Sequence, residues 1–167
     1  MRKFGENFYK DESLSNYSWF NLGGKAEYFY KAKNKNQLKD FLAEAKQLNL
    51  KTTILGAGSN TLFRDNGVKG AVIKLGSDFS YTKLVEKNII EVGAATFDHK
   101  VANFAKDNNL GNLEFLSCIP GTVGGGLRMN SGCYGSEFKD IILSVQAIDY
   151  KGDIITIPSK KIKFNYR

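Results

Sequence analysis

The chain has little of what would make its chemistry obvious. Its 167 residues include one histidine and two cysteines, and Cys118 and Cys133 share no close spacing. Zinc needs several such ligands at short intervals, so no metal centre is expected. A disulfide framework is equally unsupported, and the two thiols read as reduced and incidental. There are two prolines, and no apolar run approaches the ~20 residues that cross a bilayer. Met1-Arg2-Lys3 opens no signal-peptide core, so the expectation is a cytoplasmic chain with no membrane contact. The net charge is +7, but the lysines are dispersed. Neither a basic helix nor a base-stacking motif accompanies them, so nucleic acid is not an expected partner. Nothing in the pattern calls for an obligate protein partner.

What is present fits a soluble globular domain: 42% hydrophobic and 25% charged residues. A chain of this length can bury one good core or two small lobes. Glycine is the informative residue. Of 17 glycines, seven fall between Gly111 and Gly135. That crowding points to backbone that must approach something closely.

Residues 1–17 are polar and aperiodic and read as a lead-in segment. Residues 27–31, with Tyr28, Phe29 and Tyr30, read as a first strand. Leu38, Phe41, Leu42, Ala45 and Leu48 then form one apolar helical stripe, with Asn36 as N-cap and Asn49 as stop. Residues 52–55 and 71–75 read as buried strands. Strand, helix, strand is a βαβ unit, so the first lobe (18–76) carries a small parallel sheet. In the second lobe (77–167), residues 84–92 look like a hairpin turning at Lys87-Asn88. A helix over 96–108 buries Phe97, Val101, Phe104 and Ala105, and residues 141–150 with 154–157 form a second hairpin. The expected class is α+β in two lobes.

Two loops carry the candidate chemistry. Gly56-Ala57-Gly58-Ser59-Asn60-Thr61 directly follows a strand. Its glycines permit tight backbone whose successive N–H groups can point at one anion. It is not a Walker loop, since no Gly-Lys-Ser/Thr follows. It is not a Rossmann fingerprint either, since Thr61 stands where the third glycine belongs. The second loop is Ile119-Pro120-Gly121-Thr122-Val123-Gly124-Gly125-Gly126, followed by Met129-Asn130-Ser131-Gly132-Cys133-Tyr134-Gly135. Two remote, donor-rich, side-chain-poor loops suggest a diphosphate held between them, against the alternative of two independent tight turns.

These motifs resemble, in order, those of the UDP-N-acetylenolpyruvoylglucosamine reductases. Phe20-Asn21-Leu22-Gly23-Gly24-Lys25-Ala26 is similar to the family's opening motif. Ile54 through Leu62, with Gly67 and Gly70, resembles its first flavin-diphosphate loop. Leu113-Glu114-Phe115-Leu116 and the second loop resemble its second, and Phe164-Asn165-Tyr166-Arg167 its closing motif. The resemblance implies a two-lobed FAD-binding domain of the vanillyl-alcohol-oxidase (PCMH) type, with a small parallel βαβ lobe and a lobe of antiparallel hairpins. It implies FAD held non-covalently by Gly56, Ala57, Gly58, Ser59, Asn60, Thr61, Ile119, Pro120, Gly121, Thr122, Gly124, Gly125, Asn130 and Gly132. NADPH would be the hydride donor and an enolpyruvyl UDP-sugar the substrate, met by Tyr166 and Arg167. Arg167 would stabilise the enolate charge, where its fork suits a carboxylate better than lysine would. The family's proton-donating serine and its helping glutamate come from a substrate domain after the Tyr-Arg motif, and nothing in this chain matches them. The chain alone is therefore expected to be inactive. His99 falls in a helix and is expected at the surface, not bonded to flavin. Two alternatives share these features: a chain that binds FAD or a nucleotide without turnover, and another oxidase of the same superfamily. Tyr166-Arg167 favours the reductase over the latter.

Overall fold

The computed structural model describes residues 2–165. They divide into two compact units: residues up to Asp78 with 148–154, and Phe79–Ala147 with the chain from Ile155 onward.

The first unit is built on a four-stranded sheet. Its strands are β1 (Phe8–Ser13), β2 (Lys25–Ala32), β3 (Thr52–Leu55) and β4 (Val68–Leu75), in the order β1-β2-β4-β3. The expected βαβ unit is present, with α1 (Lys35–Gln47) between β2 and β3, but β4 lies between the two strands and is parallel to both. The reason is burial. Ala71, Val72 and Ile73 are almost wholly inaccessible, so β4 takes the central position where both faces are covered. The lead-in segment is not aperiodic coil. Residues 8–13 pair antiparallel with β2, and Phe8 stacks on Tyr28 at 5.4 Å. A six-residue edge strand with charges along it leaves almost no hydrophobic period to read.

Consecutive Phe29 and Tyr30 are both buried, which means both faces of β2 are packed. Phe29 joins Leu14, Ala26, Leu55, Phe63 and Val72 in one cluster, while Tyr30 stacks on Phe41 of α1 at 4.2 Å. The cap of α1 is Asn34, whose side chain accepts from the Gln37 N–H at 2.9 Å, two residues before the expected Asn36. Leu48 is past the helix end and exposed, so it does not extend the stripe.

The second unit holds a hairpin of β5 (Thr82–Glu86) and β6 (Ile89–Val92), turning where expected. Helix α2 (Asp98–Asp107) starts later than the periodicity suggests. Phe97 is its N-cap residue and is exposed, because its backbone is extended and bridges to Thr122. Next come a 3-10 turn (Glu114–Cys118), α3 (Val123–Met129), a miniature hairpin of β7 (Gly132–Cys133) and β8 (Ser136–Glu137), and α4 (Phe138–Ile141). A reciprocal cap between Glu137 and Asp140 makes residues 138–141 helical rather than the start of a strand. The last hairpin is therefore β9 (Ser144–Ile148) with β10 (Ile154–Pro158). The core is Val101, Phe115, Leu116 and Phe138, with Phe115 edge-on to Phe138 at 6.2 Å.

Candidate cofactor site

The first loop leaves the carboxyl end of β3, a parallel strand, which is where open α/β sheets take ligands. Neighbouring backbone holds it in shape. The Trp19 N–H donates to the Gly58 carbonyl at 3.2 Å, and the Ser18 hydroxyl donates to the Thr61 carbonyl at 3.1 Å. Gly58 has φ +74°, and a Cβ there would stand 1.9 Å from the Tyr17 carbonyl oxygen. Only glycine fits. Among the described residues, the N–H groups of Ala57, Gly58, Ser59 and Asn60 donate to no backbone acceptor. Four successive amides on a pinned loop are thus left available to an outside acceptor, as an anion-binding loop needs.

Lysine chemistry stands beside it. Lys74 of β4 donates from Nζ to the Gly56 carbonyl at 2.6 Å. Burial, and after it the charge of Lys31, holds the Lys74 ammonium below its ordinary value. Lys31 in turn lies over the rings of Tyr9, Tyr17 and Phe29 at 5.2, 5.5 and 5.9 Å. Two cations that raise each other's cost favour an anion nearby. Sequence reasoning passed over Lys74. The signal was there, as the one charge inside the apolar run Ala71-Val72-Ile73-Lys74-Leu75.

The second loop is organised differently. The N–H of Gly121 donates to Ile119, that of Val123 to Thr96, that of Gly124 to Ala94 and that of Gly126 to Thr122. These four amides are committed within the unit, and residues 123–129 are helix rather than open loop. Two of its glycines make room for the protein itself. A Cβ on Gly126 would lie 2.3 Å from the Phe138 ring, and one on Gly124 would lie 3.0 Å from Ala94. Gly125 differs, since a Cβ there would meet only the Thr122 hydroxyl at 3.5 Å. Ile119 and Gly121 are partly exposed, Pro120 is exposed and Thr122 is buried.

Beneath this loop is a carboxyl the sequence reading did not single out. Asp98 is fully buried, and neither oxygen has a hydrogen-bond partner among the described residues. A Cβ on Gly121 would stand 2.9 Å from its Oδ2. Burial pushes its pKa up to about 7. Asn130, expected at the cofactor, is a left-handed helix cap whose amide donates to Glu137 at 2.8 Å and whose oxygen accepts from the Lys139 N–H at 3.0 Å. Gly132 faces β8, where a Cβ would lie 2.5 Å from the Ser136 carbonyl oxygen. His99 is exposed, as expected, beside the Phe97 ring at 5.6 Å. Tyr166 and Arg167 lie outside the described residues. No described helix is long and apolar enough to cross a membrane, and no group of three potential ligands among the described residues could hold a metal.

Residues 26–158 match the FAD binding domain family. The chain is 48% identical to a UDP-N-acetylenolpyruvoylglucosamine reductase of Orientia tsutsugamushi, covering all of this chain and 56% of that protein. It is 46% identical to the reductase of the same name in Pelagibacter ubique, over 94% of this chain and 52% of that one. The chain thus spans about half the length of the curated relatives it matches. The crystal structure of the Thermus caldophilus UDP-N-acetylenolpyruvylglucosamine reductase superposes with TM-score 0.77 at 28% identity, over 96% of this chain and 55% of that one. A vanillyl-alcohol-oxidase-type flavoprotein from Myceliophthora thermophila matches in fold, with TM-score 0.61 at 17% identity over 79% of this chain and 26% of that one.

Proposed function

From the premise that this chain belongs to the FAD binding domain family, we propose that it is the FAD-binding part of a cytoplasmic enzyme of peptidoglycan precursor synthesis. That enzyme reduces UDP-N-acetylglucosamine enolpyruvate to UDP-N-acetylmuramate with NADPH. The observation that carries the reading is the row of uncommitted amides from Ala57 to Asn60, with Lys74 beside it, on the loop after β3. FAD, bound there, supplies hydride transfer. The chain's residues hold it: the first loop offers N–H dipoles and the Ser59, Asn60 and Thr61 side chains to the diphosphate, and Gly125 offers room. Ile119, Pro120, Gly121, Thr122 and Gly124 of the second loop are proposed as further cofactor contacts. Arg167 and Tyr166 meet the substrate, the arginine opposing negative charge on its carboxylate side, a contribution of roughly a few kcal/mol where water is excluded.

Titrating FAD into the chain while following flavin fluorescence tests the reading. Saturable quenching is expected, and Lys74→Gln should weaken it several-fold, more at low salt than at high. A chain that leaves FAD fluorescence unchanged at tens of micromolar would remove the basis of the proposal. NADPH oxidation dependent on the enolpyruvyl UDP-sugar is not expected from these residues alone, since none matches the family's proton donor and positioned proton transfer is worth roughly a hundredfold or more.

A further inference from the structure

Cys118 and Cys133, without a recognisable spacing in the sequence, lie on two elements that pack against each other in the second unit. Cys118 ends the 3-10 turn Glu114–Cys118, and Cys133 ends β7. Cα atoms of β7 lie within 8 Å of Cα atoms of that turn. The turn is anchored by buried Phe115 and Leu116, and Cys133 packs against the same cluster from the strand side. Both ends of the pair are therefore held by one core. We propose that Cys118 and Cys133 form a reversible intramolecular disulfide, a modification site that closes a covalent ring around the second glycine loop.

Burial first, and then the charge and hydrogen bonding of Cys118, push the Cys133 thiol up from its ordinary value. Cys118 is the exposed member, with the Ser117 hydroxyl 3.7 Å from its sulfur, while Cys133 is partly covered. This assigns the order of attack. The Cys118 thiolate attacks one sulfur of a small-molecule disulfide such as oxidised glutathione. That breaks its S–S bond, releases one thiol and leaves a mixed disulfide on Cys118. The Cys133 thiolate then attacks the Cys118 sulfur and releases the second thiol. The small disulfide takes both electrons, and the two protein thiol protons end on the two released thiols. Bridging needs Cα atoms within about 7 Å, and the strand and the turn that carry the two cysteines already have Cα atoms within 8 Å of each other. Residues 119–132 lie between the two sulfurs, so oxidation ties Pro120, Gly121 and α3 into one loop at both ends.

The test equilibrates the chain in mixtures of oxidised and reduced glutathione, quenches in acid, alkylates the remaining thiols and reads the intact mass and the non-reduced peptide map. The expected product has lost two hydrogens, contains one peptide joining Cys118 to Cys133, and returns to the dithiol with dithiothreitol. Cys118→Ser and Cys133→Ser should each leave the remaining cysteine carrying glutathione, because the second attack has no nucleophile. Wild-type chain that accumulates glutathione adducts without the internal link, links two chains together, or stays a dithiol in fully oxidised glutathione overturns the proposal. The wild-type result stands alone if a serine variant fails to fold.

Discussion

The two glycine-rich loops have similar compositions and different physical states. In the loop of residues 56–61, Gly58 is demanded by the chain's own backbone at Tyr17, and the four amides from Ala57 to Asn60 remain without described backbone acceptors. In the loop of residues 119–126, the amides of Gly121, Val123, Gly124 and Gly126 are already bonded, and Gly124 and Gly126 are glycine because Ala94 and Phe138 stand against them. A glycine that admits a ligand and one that admits a neighbouring side chain are the same letter. What separates them is where each N–H goes and what a Cβ would strike.

Three substitutions press on this difference. Gly58→Ala should have the largest effect, since it combines a positive φ with a collision against backbone that cannot rotate away. A loss of roughly 2–4 kcal/mol is expected from strain plus overpacking, read from the urea midpoint. An unchanged midpoint would mean that the Tyr17 approach does not set this residue.

Asp98→Asn probes the floor of the second loop through pH. The native carboxyl holds its proton up to about pH 7, whereas the unfolded chain sheds its proton near the ordinary value of 3.8. Between those values the native state binds more protons, so this group makes stability fall as pH rises, and above about pH 7 the full cost persists. At ~1.4 kcal/mol per pKa unit the cost is on the order of a few kcal/mol. The asparagine variant should lack this slope, gaining on the parent at about pH 8 relative to about pH 5 in paired urea titrations. Parallel profiles for the two proteins would sink the assignment.

Gly125→Ala should have the smallest effect on the fold, because a Cβ there meets only a hydroxyl at 3.5 Å. The midpoint should move by no more than about 0.5 kcal/mol. FAD affinity should nevertheless fall by ~tenfold, equivalent to ~1.4 kcal/mol, if the open space at Gly125 belongs to the cofactor. Unchanged FAD binding would turn the second loop into a structural turn and leave the first loop as the whole of the diphosphate site.

Much of the architecture was legible because long apolar patterns report burial directly. Leu38, Phe41, Leu42 and Ala45 are buried on α1 as their spacing requires, and Lys87-Asn88 turns the first hairpin. Short elements were not legible. Strand β1 has too few apolar positions, and α4 depends on a reciprocal cap that overrode a strand-like run at Ile141-Ile142. Asn130 shows how an amide in a glycine-rich stretch is suited to a ligand or to capping a helix, and in the fold it is the C-cap of α3 with its amide donating to Glu137.

The linear order of motifs by itself determined the family, the α+β class and the position of a glycine-rich loop after a strand, because these depend on local chain chemistry and on period. Only the tertiary structure decided that β4 inserts between β2 and β3, that Lys74 reaches Gly56, that buried Asp98 has no hydrogen-bond partner among the described residues and that the elements carrying Cys118 and Cys133 pack together. Each of these joins residues whose separation along the chain carries no periodic signal. Burial of shared apolar surface, acting on the whole unit at once, is what brings them together.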